Sequence, residues 1–244
     1  MRLIARLDIK GANLIKGKQF EGYRVIGKPW DFSSRYAVEG IDELLFVDNV
    51  ASLYGSDFMV ETLRKVTESI FVPITVAGGV KSVADAHSYL RAGADKIAVN
   101  TAALQRPELL TEIASEIGSQ SLIASIEVKA SPGTQSMSWE CMGNFGREHS
   151  GIHLEEWLGI IAEKGVGEVL VTSIDDDGMK LGFSSDLAKV VQQNCQNPVI
   201  YSGGISSVDH IEQLNIRKGV DAVAIGTAFH EDQSFISRLK GLLQ

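Results

Sequence analysis

The second half of this chain repeats the first. The segment 72–83, an apolar run that leads into a Gly-Gly pair, returns 125 residues later as 197–208, and the segment 93–102 returns as 219–228. Internal repeats constrain a fold more strongly than local patterns do. The period is about half of the 244 residues, so each half should hold four strand-helix units, and the two halves should close one eight-stranded barrel.

Length and composition agree with one domain of this kind. The 244 residues are close to the ~250 typical of a (β/α)8 TIM barrel, so we predict a single domain over 1–244, built of two duplicated half-barrels. A net charge of -8 with dispersed basic residues argues against a nucleic-acid or membrane partner. The two cysteines and the absence of a signal peptide or long apolar span predict a reduced, cytoplasmic protein.

Short apolar runs alternate with helix-length segments, which is the pattern of a parallel sheet with helical crossovers. The predicted strands are 2–8, 43–48, 72–77, 95–100, 121–128, 167–173, 198–202 and 221–226. The predicted outer helices are 57–70, 82–92, 107–117, 154–164, 186–194 and 208–217. Long connections at 11–29 and 130–151 follow the first and fifth strands, at the rim where a barrel enzyme keeps its chemistry.

Two carboxylates end equivalent strands. Asp8 ends the first predicted strand and Glu127 ends the fifth, so they should face each other across the barrel mouth. A lone acid at such a position more often caps a loop or a helix. A symmetry-related pair favours proton-transfer chemistry, with an acid and a base on opposite sides of a substrate.

The repeated glycines indicate phosphate binding, because glycine lets backbone N–H groups approach an anion and a short helix after strand seven or eight offers it a positive end. In each half a Gly-Gly turn is followed, at the end of the next strand, by a pair of small residues. These residues are Gly78, Gly79, Asn100 and Thr101 in the first half, and Gly203, Gly204, Gly226 and Thr227 in the second. Two such sets predict a substrate with phosphate at both ends, or with a diphosphate at one.

The acidic run 175–178 matches the first half of a calcium-binding loop but not its end. On the calcium-loop template the twelfth position is Ser184 instead of glutamate, so we reject calcium. A solvated turn and a loop of the catalytic rim both remain open. The five histidines fall at no metal-ligand spacing with each other or with cysteine.

Two basic and two acidic residues lie at the starts of four predicted strands. They are Arg2, Glu43, Lys96 and Glu168. Arg2 has the same strand parity as Asp8, so its side chain should point into the barrel. Buried charges need partners, and spacing alone therefore favours a structural ion network.

Along nearly its whole length the chain resembles the cyclase subunit of the imidazole glycerol phosphate synthase family, a (β/α)8 barrel of duplicated half-barrel origin. The motifs that carry the resemblance are RLDIK (6–10), LIKG (14–17), GIDEL (40–44), AGG (77–79), RAGADK (91–96), NTA (100–102), GEVLVTS (167–173), DG (177–178) and SGG (202–204).

The resemblance implies roles for these residues. Asp8 and Glu127 would be the catalytic acid and base. Substrate or phosphate binding would fall to Lys16, Gly78, Gly79, Asn100, Thr101, Thr172, Asp177, Gly178, Ser202, Gly203, Gly204, Gly226 and Thr227. Arg6 is also expected to bind substrate, although it departs from the family pattern. The four-charge ring would be the gate through which ammonia enters from a glutaminase docked on the N-terminal barrel face. No metal or organic cofactor is implied.

Three residues depart from the histidine-pathway enzyme. Glu127 replaces a second aspartate, Arg6 replaces a small residue, and Met179 replaces a threonine. A longer carboxylate beside a guanidinium suggests a differently shaped, more anion-seeking pocket. We expect Arg6 to point inward with Asp8 and to recognise a substrate carboxylate.

The strings ARLDIK (5–10), VASLYG (50–55) and GREHSG (146–151) resemble a paralogous branch of the family. That branch converts an acetamido group on a nucleotide-linked surface sugar into an acetamidino group, again with glutaminase-derived ammonia. We therefore expect an amidotransferase synthase of lipopolysaccharide biosynthesis that fails to complement loss of the histidine-pathway cyclase. The alternative is the imidazole glycerol phosphate synthase cyclase of histidine biosynthesis itself.

Two other classes stay open. A one-substrate phosphoribosyl isomerase would share the duplicated barrel and both phosphate sites, but it would not need the charged ring. A catalytically idle binding subunit would explain Glu127 and Met179 as signs of decay. Ammonia-dependent turnover excludes the idle barrel, and binding of a glutaminase separates a synthase from an isomerase.

Overall fold

The computed structural model describes residues 1–50, 57–132, 137–215 and 220–242. Most of the string 50–55 and the end of the predicted helix 208–217 lie outside these residues. The strands are, in chain order, Arg2–Lys10 (β1), Asn13–Lys18 (β2), Glu21–Gly27 (β3), Glu43–Asp48 (β4), Ile74–Ala77 (β5), Lys96–Val99 (β6), Leu122–Pro132 (β7), Met137–Gly143 (β8), Glu148–His153 (β9), Glu168–Ser173 (β10), Val199–Ser202 (β11) and Ala222–Ile225 (β12).

Eight of these strands close a parallel barrel. Their order around it is β1, β4, β5, β6, β7, β10, β11 and β12, with β12 pairing back onto β1. The predicted (β/α)8 barrel is confirmed. Every predicted strand is present with small shifts at its ends.

Helices cover the outside of the barrel. They are Pro29–Val38 (α1), Asp57–Thr67 (α2), Val83–Arg91 (α3), Thr101–Gln105 (α4), Glu108–Ile117 (α5), Leu154–Ile161 (α6), Ser185–Asn194 (α7), Val208–Asn215 (α8), Thr227–Glu231 (α9) and Ser234–Leu242 (α10). In α6 the buried residues Leu154, Trp157, Leu158 and Ile161 recur at the helical period, so one face packs on the barrel. No helix in the described parts of the chain is long and apolar enough to cross a membrane.

The two long connections fold as β-hairpins instead of loops. β2 pairs antiparallel with β1 and with β3, and β8 does the same with β7 and β9. The hairpins therefore follow the first barrel strand of each half, and they extend the duplication seen in the sequence. The first turn, Gln19 and Phe20, holds no glycine, and the second turn, 144–147, holds Gly146 after Phe145 in place of an Asn-Gly pair.

The two hairpin tips meet over the barrel mouth. The φ angles are 52° and 61° at Gln19 and Phe20, and 46° and 63° at Asn144 and Phe145, so two successive residues of each turn have left-handed backbone. The ring centroids of Phe20 and Phe145 lie 5.2 Å apart. This contact places an aromatic roof above the C-terminal ends of the barrel strands.

The core has two layers. One fills the space between the strands and the helices. The other fills the barrel interior with small and aliphatic side chains, namely Ile4, Leu45, Val47, Ala77, Ala98, Ile123, Leu170, Ile200, Ala222 and Ala224. An apolar column therefore joins the bottom of the barrel to its mouth.

Candidate active site

Asp8 and Glu127 lie at the barrel mouth on β1 and β7, the first barrel strand of each half. Both side chains are buried. Neither residue ends its strand, so that detail of the prediction was wrong. β1 continues to Lys10 and β7 to Pro132, because each must pair with the hairpin that follows it.

Two cations hold the Asp8 carboxylate. Its Oδ1 accepts a hydrogen bond from Arg6 Nε at 3.0 Å, and its Oδ2 accepts one from Lys16 Nζ at 3.3 Å. Burial alone would raise the pKa of Asp8, but the charges of Arg6 and Lys16 outweigh it and hold the pKa below its ordinary value. Asp8 is therefore an ionised carboxylate at neutral pH.

Lys16 also binds the acidic run after β10. Its Nζ lies 3.0 Å from each carboxylate oxygen of Asp177. Asp175 accepts from the backbone N–H of Ala130, and Asp176 accepts from a serine hydroxyl and a backbone N–H nearby. The run is thus a bonded loop of the rim, in which Asp177 binds Lys16.

Arg6 lies at the centre of the mouth. Its Nη1 donates to Thr172 Oγ1 and to Ser202 Oγ, both at 3.2 Å, and its guanidinium sits 5.3 Å from the ring centroid of Phe20. Burial alone would lower the pKa of Arg6, but the negative charge of Asp8 outweighs burial and holds the pKa above its ordinary value. The side chain therefore stays charged. Arg6 points inward as expected, and it uses the hydroxyls of Thr172 and Ser202 that the sequence assigned to the substrate.

Glu127 lies in a different electrostatic environment. Its Oε2 accepts a hydrogen bond from the backbone N–H of Gly146 at 3.1 Å. Burial raises the pKa of Glu127 to about 7, with a further upward contribution from Asp8, although Arg6 lowers it. Two carboxylates of one site with pKa values pushed apart in this way can serve as base and acid.

A cavity of about 450 Å³ opens beside Glu127 and is lined in part by Gly78, Gly79, Asn100 and Thr101. We call these four residues the first cradle. The Nδ2 of Asn100 donates to the backbone of Met142, and its buried Oδ1 has no protein partner among the described residues.

A narrow second cavity lies on the other side of Arg6. Its lining includes Asp177, Gly178, Ser202, Gly203, Gly204, Gly226 and Thr227. We call Gly203, Gly204, Gly226 and Thr227 the second cradle. The buried Oγ1 of Thr227 has no hydrogen-bond partner within the described chain, so it is free to bind a ligand.

The two Gly-Gly turns are built alike. Gly78 and Gly203 have φ angles of 99° and 116°. A Cβ at Gly78 would lie 2.5 Å from the carbonyl oxygen of Asp48, and one at Gly203 would lie 2.7 Å from that of Ser173. Both glycines therefore hold a left-handed turn against the end of the neighbouring strand, a position that a larger residue would strain.

Short helices follow the fourth and eighth barrel strands; the one after the eighth agrees with the short helix expected near strand seven or eight, and the one after the fourth was not predicted. Asn100 precedes α4 with φ and ψ of -118° and -90°, and Gly226 precedes α9 with -106° and -80°. These matching angles show that the duplication extends to the cradles themselves.

The four predicted charges form a closed ring at the bottom of the barrel. Arg2 lies 2.9 Å from Glu43 and 2.5 Å from Glu168, and Lys96 lies 3.2 Å and 2.9 Å from the same two carboxylates. Burial would raise the pKa of Glu168, but the hydrogen bonds from both cations hold it below its ordinary value. Each cation bridges both anions, so the ring closes the N-terminal end of the apolar column.

Two buried polar side chains near the mouth were missed by sequence reasoning. The Nε2 of His230 on α9 and the hydroxyl of Tyr23 on β3 are buried without a hydrogen-bond partner among the described residues. Burial and the charge of Asp8 both raise the pKa of Tyr23, so it stays a phenol. Neither residue belongs to a repeated motif, and only the hairpin and the short helix bring them to the site.

Among the described residues, no group of three or more His, Cys, Asp and Glu side chains could hold a metal ion. The cations at the mouth are arginine and lysine, and the titratable pair is Asp8 with Glu127.

Comparison with known proteins agrees with the fold. Residues 2–234 match the family model described as histidine biosynthesis protein. The chain is 47% identical over 209 residues to imidazole glycerol phosphate synthase subunit HisF of Legionella pneumophila, which covers 86% of this chain and 97% of that protein. It is 40% identical over 245 residues to the subunit of the same name from Mycobacteroides abscessus, which covers 99% of this chain and 95% of that protein.

Proposed function

This chain belongs to the histidine biosynthesis protein family, as an enzyme subunit of the HisF type, and from that premise we propose that it is the ammonia-using cyclase subunit of an imidazole glycerol phosphate synthase. The observation that carries the proposal is the position of Arg6, which lines both cavities and binds Asp8, while Glu127 lines the cavity of the first cradle. The named relatives favour histidine biosynthesis over the acetamidino-sugar function that we expected from the sequence.

The proposed substrate carries a phosphate at each end. One phosphate would occupy the first cradle and the other the second, so the reacting carbon would lie near Arg6 and Asp8. Ammonia that adds to a carbon becomes positively charged and must lose a proton, which the ionised Asp8 can accept. Glu127, with its pKa raised by burial to about 7, can donate a proton to the departing group.

Ammonia would reach this carbon through the barrel. The interior between the ring and the mouth is lined by aliphatic side chains and alanines, which disfavour ions but tolerate a small neutral molecule. The ring is closed by ion pairs in the structure, so passage requires at least one of them to part. We propose that a glutaminase subunit docks on this N-terminal face and supplies the ammonia.

A second candidate is the formation of an acetamidino group on a nucleotide-linked sugar. One observation favours it, because Arg6 lines both cavities and could face an additional anion on the substrate. The structure weakens the argument from Arg6, since Asp8 already supplies a carboxylate at 3.0 Å from its Nε. Arg6 therefore needs no sugar carboxylate to balance its charge.

Complementation separates the two candidates. The unmodified chain, expressed with a glutaminase subunit in a strain that lacks the histidine-pathway cyclase, should restore growth without histidine. The Asp8→Asn variant, expressed to the same level, should fail. The second candidate would be favoured by two results together. The folded, expressed protein would not restore growth, and it would convert a nucleotide-linked acetamido sugar in an ammonia-dependent reaction.

A further inference from the structure

His230 is held rigidly beside the active site. Its Nδ1 lies 2.5 Å from the hydroxyl of Tyr36. Tyr36 lies on α1, near the N-terminal end of the chain, whereas His230 lies near the C-terminal end. The edge of Phe32 packs on the imidazole with ring centroids 5.7 Å apart, and the ring of Tyr36 stacks at 6.1 Å. The two aromatic rings and the hydrogen bond thus fix both the position and the orientation of this histidine.

The contact with Tyr36 decides which nitrogen of His230 carries the proton. Burial raises the pKa of Tyr36, so its hydroxyl keeps its proton. Nδ1 is the hydrogen-bond partner that the structure gives this hydroxyl, and a buried O–H without an acceptor is costly. Nδ1 therefore accepts, and the single proton of a neutral imidazole resides on Nε2.

The imidazole stays neutral in the pH range of the cell. Burial, followed by the nearby charge of Lys16, lowers the pKa of His230 to about 3, although Asp8 acts in the opposite direction. The Nε2–H is consequently a fixed, neutral donor and does not act as a proton shuttle.

This donor lies beside Gly226 of the second cradle. A Cβ built on Gly226 would lie 3.6 Å from His230 Nε2 and 3.8 Å from Lys16 Nζ, so both nitrogens face the same side of that glycine. Thr227 lies three residues before His230 on α9, and its Oγ1 is also buried without a described partner. Two unpaired neutral donors beside a cation fit an oxygen anion and do not fit a metal ion.

We propose that His230 is a substrate-binding residue whose Nε2–H donates a hydrogen bond to a phosphoryl oxygen in the second cradle, and that Tyr36 is the positioning residue that fixes this tautomer. The inference rests on the proposed function only in requiring a phosphorylated substrate. It adds a histidine donor to the glycines and the threonine of the second cradle.

Nitrogen NMR of the histidine side chains tests the tautomer directly. In the full-length protein His230 should show a protonated Nε2 and an unprotonated Nδ1, unchanged from about pH 6 to about pH 8. The Tyr36→Phe variant keeps the ring packing but removes the O–H donor, so it should give a mixture of tautomers. Nδ1–H as the major tautomer in the unmodified protein would overturn the proposal.

Titration with inorganic phosphate tests the ligand. The His230 Nε2–H signal should shift together with the backbone amides of Gly204 and Gly226. His230→Gln keeps an N–H donor, whereas His230→Leu removes it and should weaken phosphate binding by about tenfold more, the scale of a hydrogen bond to a charged group. His87→Gln on the outer helix α3 is the matched control and should bind phosphate normally.

Two results of the titration would overturn the proposal. One is a shift of the cradle amides without any response at His230, and the other is no phosphate response anywhere in the second cradle. A response at His230 in a chain that fails complementation would leave the inference standing and would reject only the proposed function.

Discussion

Nε of Arg6 lies 3.0 Å from Oδ1 of Asp8, and both side chains are buried at the barrel mouth. A cation in this position keeps Asp8 ionised, although burial opposes ionisation. Across the mouth, burial raises the pKa of Glu127 to about 7. The symmetrical carboxylates of a duplicated barrel therefore have pKa values shifted in opposite directions: Arg6, two positions before Asp8, bonds directly to it, whereas Ser125 holds the same place before Glu127 and burial dominates there.

Asp8→Asn and Glu127→Gln should each lower ammonia-dependent turnover by about 10²-fold or more, because each removes one partner of the proton transfers. Steady-state rates with added ammonium salt measure this. Glu112→Gln, on the outer surface of α5, is the control and should leave the rate unchanged. Near-normal rates for both site variants would contradict the catalytic assignment and favour an idle barrel.

Glu127→Gln should stabilise the fold at alkaline pH while it lowers activity. Glu127 has a folded pKa raised from 4.5 to about 7, so its contribution to stability is fully present below the lower value and is lost as pH rises toward the upper one. The variant should thus gain up to ~3 kcal/mol on the unmodified protein between about pH 5 and about pH 8. Urea unfolding at both pH values measures the free energy of unfolding. Equal losses of this free energy in the variant and the unmodified protein would contradict the prediction.

The barrel could be predicted from the sequence because its signals are local and repeated. Each strand is a short apolar run, and the Gly-Gly turns at 78–79 and 203–204 mark equivalent points of the two halves. The charged ring and the pairing of Asp8 with Glu127 followed from strand parity and strand order. These features depend on the period of a strand and on which end of a parallel sheet a residue occupies.

The remaining features depend on contacts between segments far apart in the chain. The turn at Phe20 holds no glycine, and in the turn at Phe145 the glycine follows a phenylalanine instead of forming an Asn-Gly pair, so neither segment carries the usual hairpin signal. Strand parity places Arg6 on the same face as Asp8, but its contacts with Thr172 and Ser202 depend on strands far away in the chain. The approach of His230 to the second cradle needs the short helix α9 and the Tyr36 contact, and neither leaves a motif.

Alanine at Gly78 or at Gly203 should weaken both the fold and phosphate binding. Each Cβ would approach a strand carbonyl oxygen to 2.5 Å and 2.7 Å, respectively, on left-handed backbone. We expect a loss of ~2–4 kcal/mol in unfolding free energy for each variant, combining backbone strain and overpacking. Chemical unfolding and phosphate titration measure the two effects.

Gly151 provides the matched control for these variants. It also has a positive φ of 74°, but a Cβ there would meet nothing within 4 Å. Gly151→Ala should cost only the backbone term of about 1 kcal/mol and should leave phosphate binding intact. Equal losses at all three glycines would show that the close approach in the cradles has no separate effect.

The charged ring should matter more for channelled ammonia than for ammonia from solution. Lys96→Ala and Glu168→Ala each remove two of the four ion pairs, which leaves the bottom of the barrel open. Glutamine-dependent turnover should fall by roughly tenfold relative to ammonium-dependent turnover, the scale of a coupling through a few residues. Lys189→Ala, which breaks an exposed ion pair on α7, is the control. Equal losses with both nitrogen sources would indicate a purely structural ring.

Arg6→Met should shift the acid limb of the pH–rate profile upward. The substitution keeps an apolar stem of similar length but removes the cation that lowers the pKa of Asp8, leaving only Lys16 beside it. Because an opposite charge at this distance shifts a carboxyl by ~1–3 pH units, kcat/KM should be lost at a correspondingly higher pH on the acid side. Arg35→Met, whose guanidinium stacks on Phe32 on the outside of the barrel, should leave the profile in place. If Arg6 instead recognises a carboxylate of the substrate, Arg6→Met will raise KM and leave the acid limb where it was.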